Sequence, residues 1–361
     1  LLNIEITKLQ LYNFRNYHNR VFTFPKKINI ILGENGSGKS NILESITLLK
    51  KGSGLKKADF SDIISQNINE QRFSIFSEIR NHPLIDEIGT SYENEKRFFQ
   101  INGKKINSQK SEIPIIYLVP HMDNLFCDNK STRRSFLDNI INNIYSEHKT
   151  NINNYNKLIK ERLALLEKNN SSENRIWLDI IEKKISEIGV IIAFARNEII
   201  NYLNQAILES KSIFTKSKIK IIGDVEEYAL NNTAIATEKL FQEKLNYNRT
   251  KDRERQRTSF GIHLTDFTAF IEDQIEAKNC STGEQKSILI AIIFGFVRIF
   301  KILDLPLPIL LLDEITSHLD SKKRKDIFLE VNDLDIQCFL TGTEEYLFSD
   351  FAGEKVNIIK L

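Results

Sequence analysis

Eight residues near the start of the chain, Gly33 to Ser40, read GENGSGKS and match the phosphate-loop pattern G-x-x-x-x-G-K-[ST]. No other stretch restricts the fold as strongly, because each fixed position has a physical task. Gly33, Gly36 and Gly38 permit backbone angles that a Cβ forbids, so the amides of the loop, including those of Glu34, Asn35 and Ser37, can point inward around a phosphate. Lys39 supplies a charge for the β- and γ-phosphate oxygens. The Ser40 hydroxyl is placed to ligate Mg²⁺, and the helix that starts there turns its positive end toward the anion. Such a loop needs a strand before it and a helix after it. Upstream, Ile28, Ile30, Ile31 and Leu32 read as a buried strand; downstream, Ile42, Leu43, Ile46, Leu48 and Leu49 fall close to helical spacing. The order strand, loop, helix predicts ATP and Mg²⁺ binding over the alternative, a glycine turn that holds nothing.

Composition sets the outer limits. With 361 residues the chain is long enough for two domains or for one domain with an insertion. A hydrophobic share of 41% and a charged share of 27% suit a protein that buries a real core. The net charge of +2 argues neither for nor against a nucleic acid, so any basic footprint has to be local. Three scattered cysteines, Cys127, Cys280 and Cys338, imply no disulfide framework, and the six histidines show no metal-ligand spacing. No run approaches the roughly 18 apolar residues of a membrane span, and no basic segment followed by an apolar one opens the sequence. The expectation is a cytoplasmic chain in a reducing compartment, without a membrane.

In chain order, Ile4 to Leu11 and Val21 to Phe24 read as strands around a polar and aromatic turn at Asn13 to Tyr17. With the strand that feeds the phosphate loop they predict a small antiparallel sheet beside the nucleotide. Arg15 in that turn suits a solvated position as well as a functional one. Lys50, Lys51, Lys56 and Lys57 lie in a glycine-containing loop after the first helix, one that can grip DNA phosphates or simply face water. Residues 72–117 read as β-rich, with a hairpin turn at Asn102 and Gly103. From 132 to 210 the spacing becomes helical. Trp177, Ile181, Ile185, Ile188, Ile192, Ala195, Ile199 and Leu203 form one apolar seam, Leu158, Arg162, Leu165 and Leu166 belong to the preceding helix, and Asn169 to Ser172 form the turn between them. The pair predicts a helical hairpin too short for an extended coiled coil. The charged run Arg249 to Arg257, of both signs, reads as solvated surface.

The pattern sharpens again near the end. Ser281, Thr282, Gly283, Glu284 and Gln285 precede a long apolar helix from Ile288 to Phe300. Pro308 to Leu312 then reads as a buried strand ending in Asp313 and Glu314. Asp313 is placed to hold the Mg²⁺ shell together with Ser40, and Glu314 to orient and deprotonate an attacking water as the catalytic base. Ser317, His318, Leu319 and Asp320 follow as a loop able to meet a partner subunit.

Taken together these motifs resemble the ABC-type ATPase heads: the phosphate loop, STGEQ in place of the family's S-G-G-Q signature, the paired carboxylates and the S-x-L-D loop. In that family two heads meet head to tail, which implies that Ser281, Gly283 and Gln285 of one subunit complete the ATP site of the other in an ATP-dependent homodimer. The interval from Ser40 to Ser281 is too long for a transporter ATPase and too short for the coiled coils of SMC proteins. Over its whole length the chain resembles the RecF family. The matching residues are Asn13 to Asn16; Leu118, Val119, Pro120, Met122 and Asp123; Arg133, Arg134, Phe136, Leu137 and Asp138; Arg257, Thr258, Gly261, His263 and Asp266; Cys280 to Gln285; and Thr341 to Thr343.

This resemblance implies an α/β SMC-like P-loop ATPase head with an inserted helical arm: residues 1–131 as the N-terminal ATPase lobe, 132–210 as the arm and 211–361 as the rest of the head. It further implies DNA binding at single-strand gaps, work with RecO and RecR in loading RecA during gap repair and replication-fork restart, and a role in the DNA-damage (SOS) response. Candidate DNA contacts are Lys50, Lys51, Lys56, Lys57, Arg133 and Arg134. Two features depart from the families. The G-P-H-R motif stands here as Gly261, Ile262, His263 and Leu264, and the switch histidine of transporter ATPases is missing near 341–343, which implies slow hydrolysis. Another SMC-like head or a transporter ATP-binding subunit is the alternative.

Overall fold

Ile28–Leu32, Ile309–Leu312 and Cys338–Gly342 are buried at every position. Continuous apolar runs of this kind suit strands covered on both faces, and these three lie side by side in one parallel sheet. The computed structural model describes residues 4–65, 70–81, 84–106, 113–167, 172–210, 214, 216–272, 274–316, 319–351 and 355–361. In chain order the elements begin β1 (Ile4–Phe14), β2 (Tyr17–Thr23), β3 (Ile28–Leu32), α1 (Lys39–Thr47), β4 (Arg72–Asn81), β5 (Leu84–Glu93), β6 (Lys96–Ile101), β7 (Lys104–Ile106) and β8 (Ile115–Leu118). Then come α2 (Lys130–Ile141), α3 (His148–Glu167), α4 (Ser172–Glu209), β9 (Ser217–Ile222), α5 (Asp224–Asn231), α6 (Ala234–Tyr247), α7 (Arg249–Arg255), β10 (Asp266–Ile271) and β11 (Ile275–Glu276). The chain ends with α8 (Thr282–Ile302), β12 (Ile309–Leu312), α9 (Ser321–Leu334), β13 (Cys338–Gly342) and β14 (Val356–Lys360).

Contacts divide the chain into two units. The first comprises Leu1–Asp123, Lys211–Phe214 and Phe296–Leu361, the second Asn124–Ser210 and Thr215–Gly295. The first unit holds two sheets, a parallel one in the order β14-β3-β13-β12-β8 and an antiparallel one in the order β2-β1-β4-β5-β6-β7. Ile6, Leu9, Leu11, Phe73, Ile75 and Ile88 of the antiparallel sheet share one core with Ile42, Leu43 and Ile46 of α1 and Ile31, Ile309, Leu311 and Phe339 of the parallel sheet. The small antiparallel sheet expected from sequence is therefore a larger one. Strand β3 leaves it for the parallel sheet, because a strand without a polar face has no solvated side to offer. The expected hairpin at Asn102 and Gly103 joins β6 to β7, with both residues at positive φ, 48° and 73°.

The second unit is mainly helical, with the sheet β11-β10-β9. Helices α3 and α4 run antiparallel: Tyr145, Tyr155 and Arg162 advance along the chain while their neighbours Glu198, Gly189 and Glu182 recede along α4. On the α4 seam Ile185, Ile192, Ile199 and Leu203 are fully buried, whereas Trp177 is 58% exposed. The expected turn residues Asn169, Asn170 and Ser171 lie outside the described residues, as do Ser317 and His318. A Cβ on Gly189 would meet the Phe241 ring at 2.4 Å, so glycine is what lets α4 and α6 approach.

This unit extends beyond the 132–210 arm, through to Gly295. Tyr155, Ile185 and Ile192 share an apolar core with Val225, Phe241, Leu245, Phe260 and Ile262, and buried charge also ties the arm to later segments. Arg162 and Arg196 are 0% and 1% exposed, and their acidic partners come from distant segments. Arg162 donates to Glu182, Asp252, Thr258 Oγ1 and the Leu245 carbonyl. Arg196 donates to Asp138, Glu226 and the Ile262 carbonyl. The run from Arg249 to Arg257 is accordingly not solvated surface throughout. Asp252 is fully buried, and Arg249 pairs with Glu182 and Asp179. Among the described residues no helix is long and apolar enough to cross a membrane.

Candidate nucleotide-binding site

Parallel pairing puts the carboxyl ends of β3, β13 and β12 on one edge of the sheet, the edge at which open α/β sheets hold ligands. Leu312 lies opposite Leu340, and Gly342 opposite Leu32. Asp313, Thr341 and the loop from Gly33 therefore emerge together. The loop runs into α1 through Gly38, whose φ of 107° is left-handed and whose added Cβ would meet Asn16 Nδ2 at 2.5 Å. Gly36 is likewise at positive φ, 85°.

Lys39, 4% exposed, donates from Nζ to the carbonyls of Gly33 at 2.8 Å and Glu34 at 2.9 Å. Ser40 Oγ donates to Asp313 Oδ1 at 3.1 Å, and Thr341 Oγ1 donates to the same oxygen at 2.6 Å. The Thr341 hydroxyl also accepts the Glu314 backbone N–H at 2.9 Å. Thr341 thereby fixes both carboxylate residues through one atom. Glu314 itself has a φ of 50°, unusual without a glycine, so the chain turns sharply directly after the strand. Sequence reading placed Thr341 only in a T-G-T match; its hydrogen bonds to the acidic pair come from β12 and β13 being neighbours.

The β1–β2 turn also reaches the loop. Asn16 Nδ2 donates to the Ser37 carbonyl at 3.0 Å, and Asn41 Nδ2 donates to Asn16 Oδ1 at 2.8 Å. Arg15, whose position in the turn suits water or function equally by sequence, forms a two-point pair with Glu44 of α1, Nε to Oε2 at 2.9 Å and Nη2 to Oε1 at 2.7 Å, while Glu44 is fully buried. Arg15 is thus a brace between turn and helix. Tyr17 OH and Ser37 Oγ are buried and find no hydrogen-bond partner among the described residues. Burial raises the Tyr17 phenol to about 12, against a smaller opposing effect of Arg20, so it stays a neutral donor.

These residues fit a magnesium nucleotide. A lysine held by neutral carbonyls retains its charge for an anion, Ser37 has an unpartnered hydroxyl, and the Ser40 hydroxyl and Asp313 carboxylate meet as a hard-oxygen pair suited to Mg²⁺.

The signature residues lie in the second unit, at the start of α8. Ser281 and Glu284 form a capping box: Glu284 Oε2 accepts the Ser281 N–H at 2.8 Å and its hydroxyl at 2.7 Å. Gln285 is 6% exposed and is held by the Cys280 carbonyl at 2.9 Å. A Cβ on Gly283 would touch nothing within 4 Å, so open space lies over this turn.

The basic candidates separate. Lys51, Lys56 and Lys57 are exposed, but Lys56 donates to Asn41 Oδ1 at 2.7 Å and stands 3.9 Å from Glu44. Lys50 is half-buried. Arg133 forms a two-point pair with Asp266 at 2.7 and 2.8 Å, and Arg134 donates to the Thr265 carbonyl at 2.8 Å. The Asp266 hydrogen bond raises the Arg133 pKa further. Both arginines are engaged inside their own unit.

Fold and site together define an SMC-like ABC-type ATPase head. A family model described as RecF/RecN/SMC N terminal domain matches residues 5–360. An SMC head domain from Pyrococcus furiosus, solved with the C-terminal domain of ScpA, superposes with a TM-score of 0.54 at 18% identity, covering 96% of this chain and 92% of that one. Within this class the chain belongs to the RecF family. It is 36% identical over 364 residues to the DNA replication and repair protein RecF of Rickettsia prowazekii, covering 99% of each. A solved structure of RecF-ATP, described as a recombination mediator protein in the RecFOR pathway, superposes with a TM-score of 0.84 at 24% identity, covering 100% of this chain and 98% of that one.

Proposed function

We propose that this chain is an ATP-switched, DNA-binding recombination mediator with weak Mg²⁺-dependent ATPase activity. It acts in gap repair and replication-fork restart in the cytoplasm, with RecO and RecR as partners in RecA loading. The observation that carries the reading is the convergence of Lys39, Ser40, Asp313 and Thr341 on one sheet edge of a RecF-family chain. Lys39 and the loop amides bind and orient the phosphates, while Ser40 and Asp313 hold Mg²⁺. The bound magnesium nucleotide supplies the phosphoryl group that is transferred to water. Glu314 accepts the proton of that water, held against the sheet edge through Thr341. With little covalent chemistry for the protein to do, positioning and charge provide most of the acceleration.

In the same reading two copies associate on ATP, and the α8 start of one, with Ser281 and Gly283, caps the γ-phosphate held by the other. The open space over Gly283 supports this, because the turn can take a phosphate without rearranging. Lys51 and Lys57 are the DNA-phosphate contacts that the first unit offers; Arg133 is left out because Asp266 already pairs with it at two points, and Arg134 because its Nη1 is held by the Thr265 carbonyl.

The test is fluorescence anisotropy of a labelled duplex at constant salt with no nucleotide, ADP or ATP, with Lys39→Met as control. ATP alone is expected to raise affinity, and the variant to lose that increase. Duplex affinity that ignored nucleotide would refute the switch. Glu314→Gln is expected to keep ATP affinity and slow turnover on the order of a hundredfold; turnover at the wild-type rate would remove Glu314 as the base.

A further inference from the structure

The first unit carries a cavity of about 450 Å³ whose lining includes Lys51, Phe60, Arg97, Phe98, Phe99 and Lys105. It lies between the loop after α1 and the β6–β7 hairpin, and its volume falls within the roughly 300–1,000 Å³ of ligand pockets. Its described lining contains cations and aromatic rings and no acid.

Arg97 builds the floor. Its guanidinium donates to the carbonyls of Leu48 and Gly52 and, at 3.1 Å, of Lys50, while Nε donates to Thr90 Oγ1 at 3.0 Å. It also stacks 4.3 Å from the Phe99 centroid and 4.9 Å from that of Phe60. Burial lowers its pKa to about 10, which still leaves it charged at neutral pH. One buried arginine therefore ties the lysine-bearing loop to β6 and fixes the cavity's shape.

The rim has the opposite character. Phe98 is 37% exposed, with Lys105 Nζ 5.0 Å from its ring centroid, and Lys51 and Lys105 are exposed. Two exposed ammonium groups, one of them over a partly exposed ring, suit a ligand that is both planar and anionic, a nucleoside phosphate. Stacking on Phe98 needs the face of a base, and bases within a duplex offer only their edges.

We propose that this cavity receives an unpaired nucleotide of a DNA single strand, its base on Phe98 and its phosphates on Lys51 and Lys105. The inference rests on the DNA-binding reading above and assigns the surface that meets the single-stranded side of a gap.

Anisotropy at constant salt with saturating ATP would compare fluorescein-labelled oligothymidylate with a blunt duplex of equal length, for the wild type and for Phe98→Ala combined with Lys105→Glu. The double variant is expected to bind oligothymidylate about tenfold more weakly and to keep duplex affinity within about twofold. In the wild type, an oligonucleotide carrying iodouracil is expected to photocrosslink to the β6–β7 hairpin, as mapped by mass spectrometry; this readout needs no variant to fold. Equal losses on both DNA forms, no loss on either, or crosslinks confined to other elements would overturn the assignment while leaving duplex binding intact. Thymidine monophosphate that displaced the oligonucleotide at equal nucleotide concentration would overturn the strand as occupant in favour of a free nucleotide. Wild-type protein that bound neither DNA form would remove the DNA reading together with this one.

Discussion

Lys39 in the first unit and Arg162 in the second are both almost wholly buried cations, and they are held in opposite ways. Lys39 donates to two neutral carbonyls of its own loop, so its charge remains available to an anion. Arg162 has two carboxylates, a hydroxyl and a carbonyl around it, which satisfies the guanidinium within the fold. Arg196 repeats the second arrangement with Asp138 and Glu226, and Arg15 repeats it with Glu44. In sequence the phosphate-loop motif marks Lys39, but nothing local shows what surrounds the three arginines. What separates a binding group from a strut is whether counter-charge already surrounds it, because a saturated buried cation can take a new anion only by giving one up.

The strongest way to break this contrast is Arg162→Met. It leaves Glu182 and Asp252 buried with less counter-charge, and the second unit is expected to lose about 3–5 kcal/mol of stability in urea unfolding. Trp177, the only tryptophan, sits on α4 and reports that unit selectively. A loss below about 1 kcal/mol would mean that Arg162 is no strut.

Next in size is Lys39→Met, which keeps the aliphatic stem. Stability is expected to change by less than about 1 kcal/mol, while ATP affinity measured by calorimetry falls on the order of a hundredfold. A large stability loss with unchanged affinity would reverse the comparison.

Acid separates the two kinds of charge more finely. Burial opposes ionisation of Asp138, but Arg196 and His148 outweigh it and hold the carboxyl at about 2. The folded value lies below that of an unfolded aspartate, about 3.9. The contribution of Asp138 is therefore complete above that value and is lost as pH falls through about 2. Urea midpoints followed by Trp177 fluorescence from neutral pH downward should show an acid-labile component of about 2 kcal/mol, absent in Asp138→Asn, which is already destabilised at neutral pH. An unchanged acid profile in that variant would assign the acid limb to other carboxylates.

The smallest effect is expected at Gly283→Ala. With open space around the added methyl, stability should hold or rise by up to about 1 kcal/mol, while ATP-dependent dimerisation in sedimentation velocity weakens. Dimerisation equal to wild type would detach Gly283 from the proposed cap.

Much of the candidate site was legible because its residues are fixed by local rules. A phosphate loop needs glycines at set spacing between a strand and a helix, and the Asp313–Glu314 pair follows an apolar strand, so both could be found without knowing the fold. The antiparallel hairpin of β6 and β7 was legible for the same reason, since Asn-Gly suits positive φ at both turn positions. The six-stranded extent of the antiparallel sheet was not, because β1 pairs with β4 across a long interval that no local pattern records. The charged run at 249–257 misled because mixed-sign charge usually faces water, yet here Asp252 meets Arg162 across 90 residues of chain.

The sequence by itself determined the class of fold, the identity of the nucleotide-loop residues and the alternation of β-rich and helical regions, since backbone conformation and apolar periodicity act over a few residues. Only the tertiary structure decided that Thr341 governs both acidic residues, that Arg133 answers Asp266, and that Arg97 shapes a cavity beneath the lysine loop. The physical reason is that hydrogen bonds and ion pairs depend on distance in space, and chain folding joins groups that sequence spacing keeps far apart.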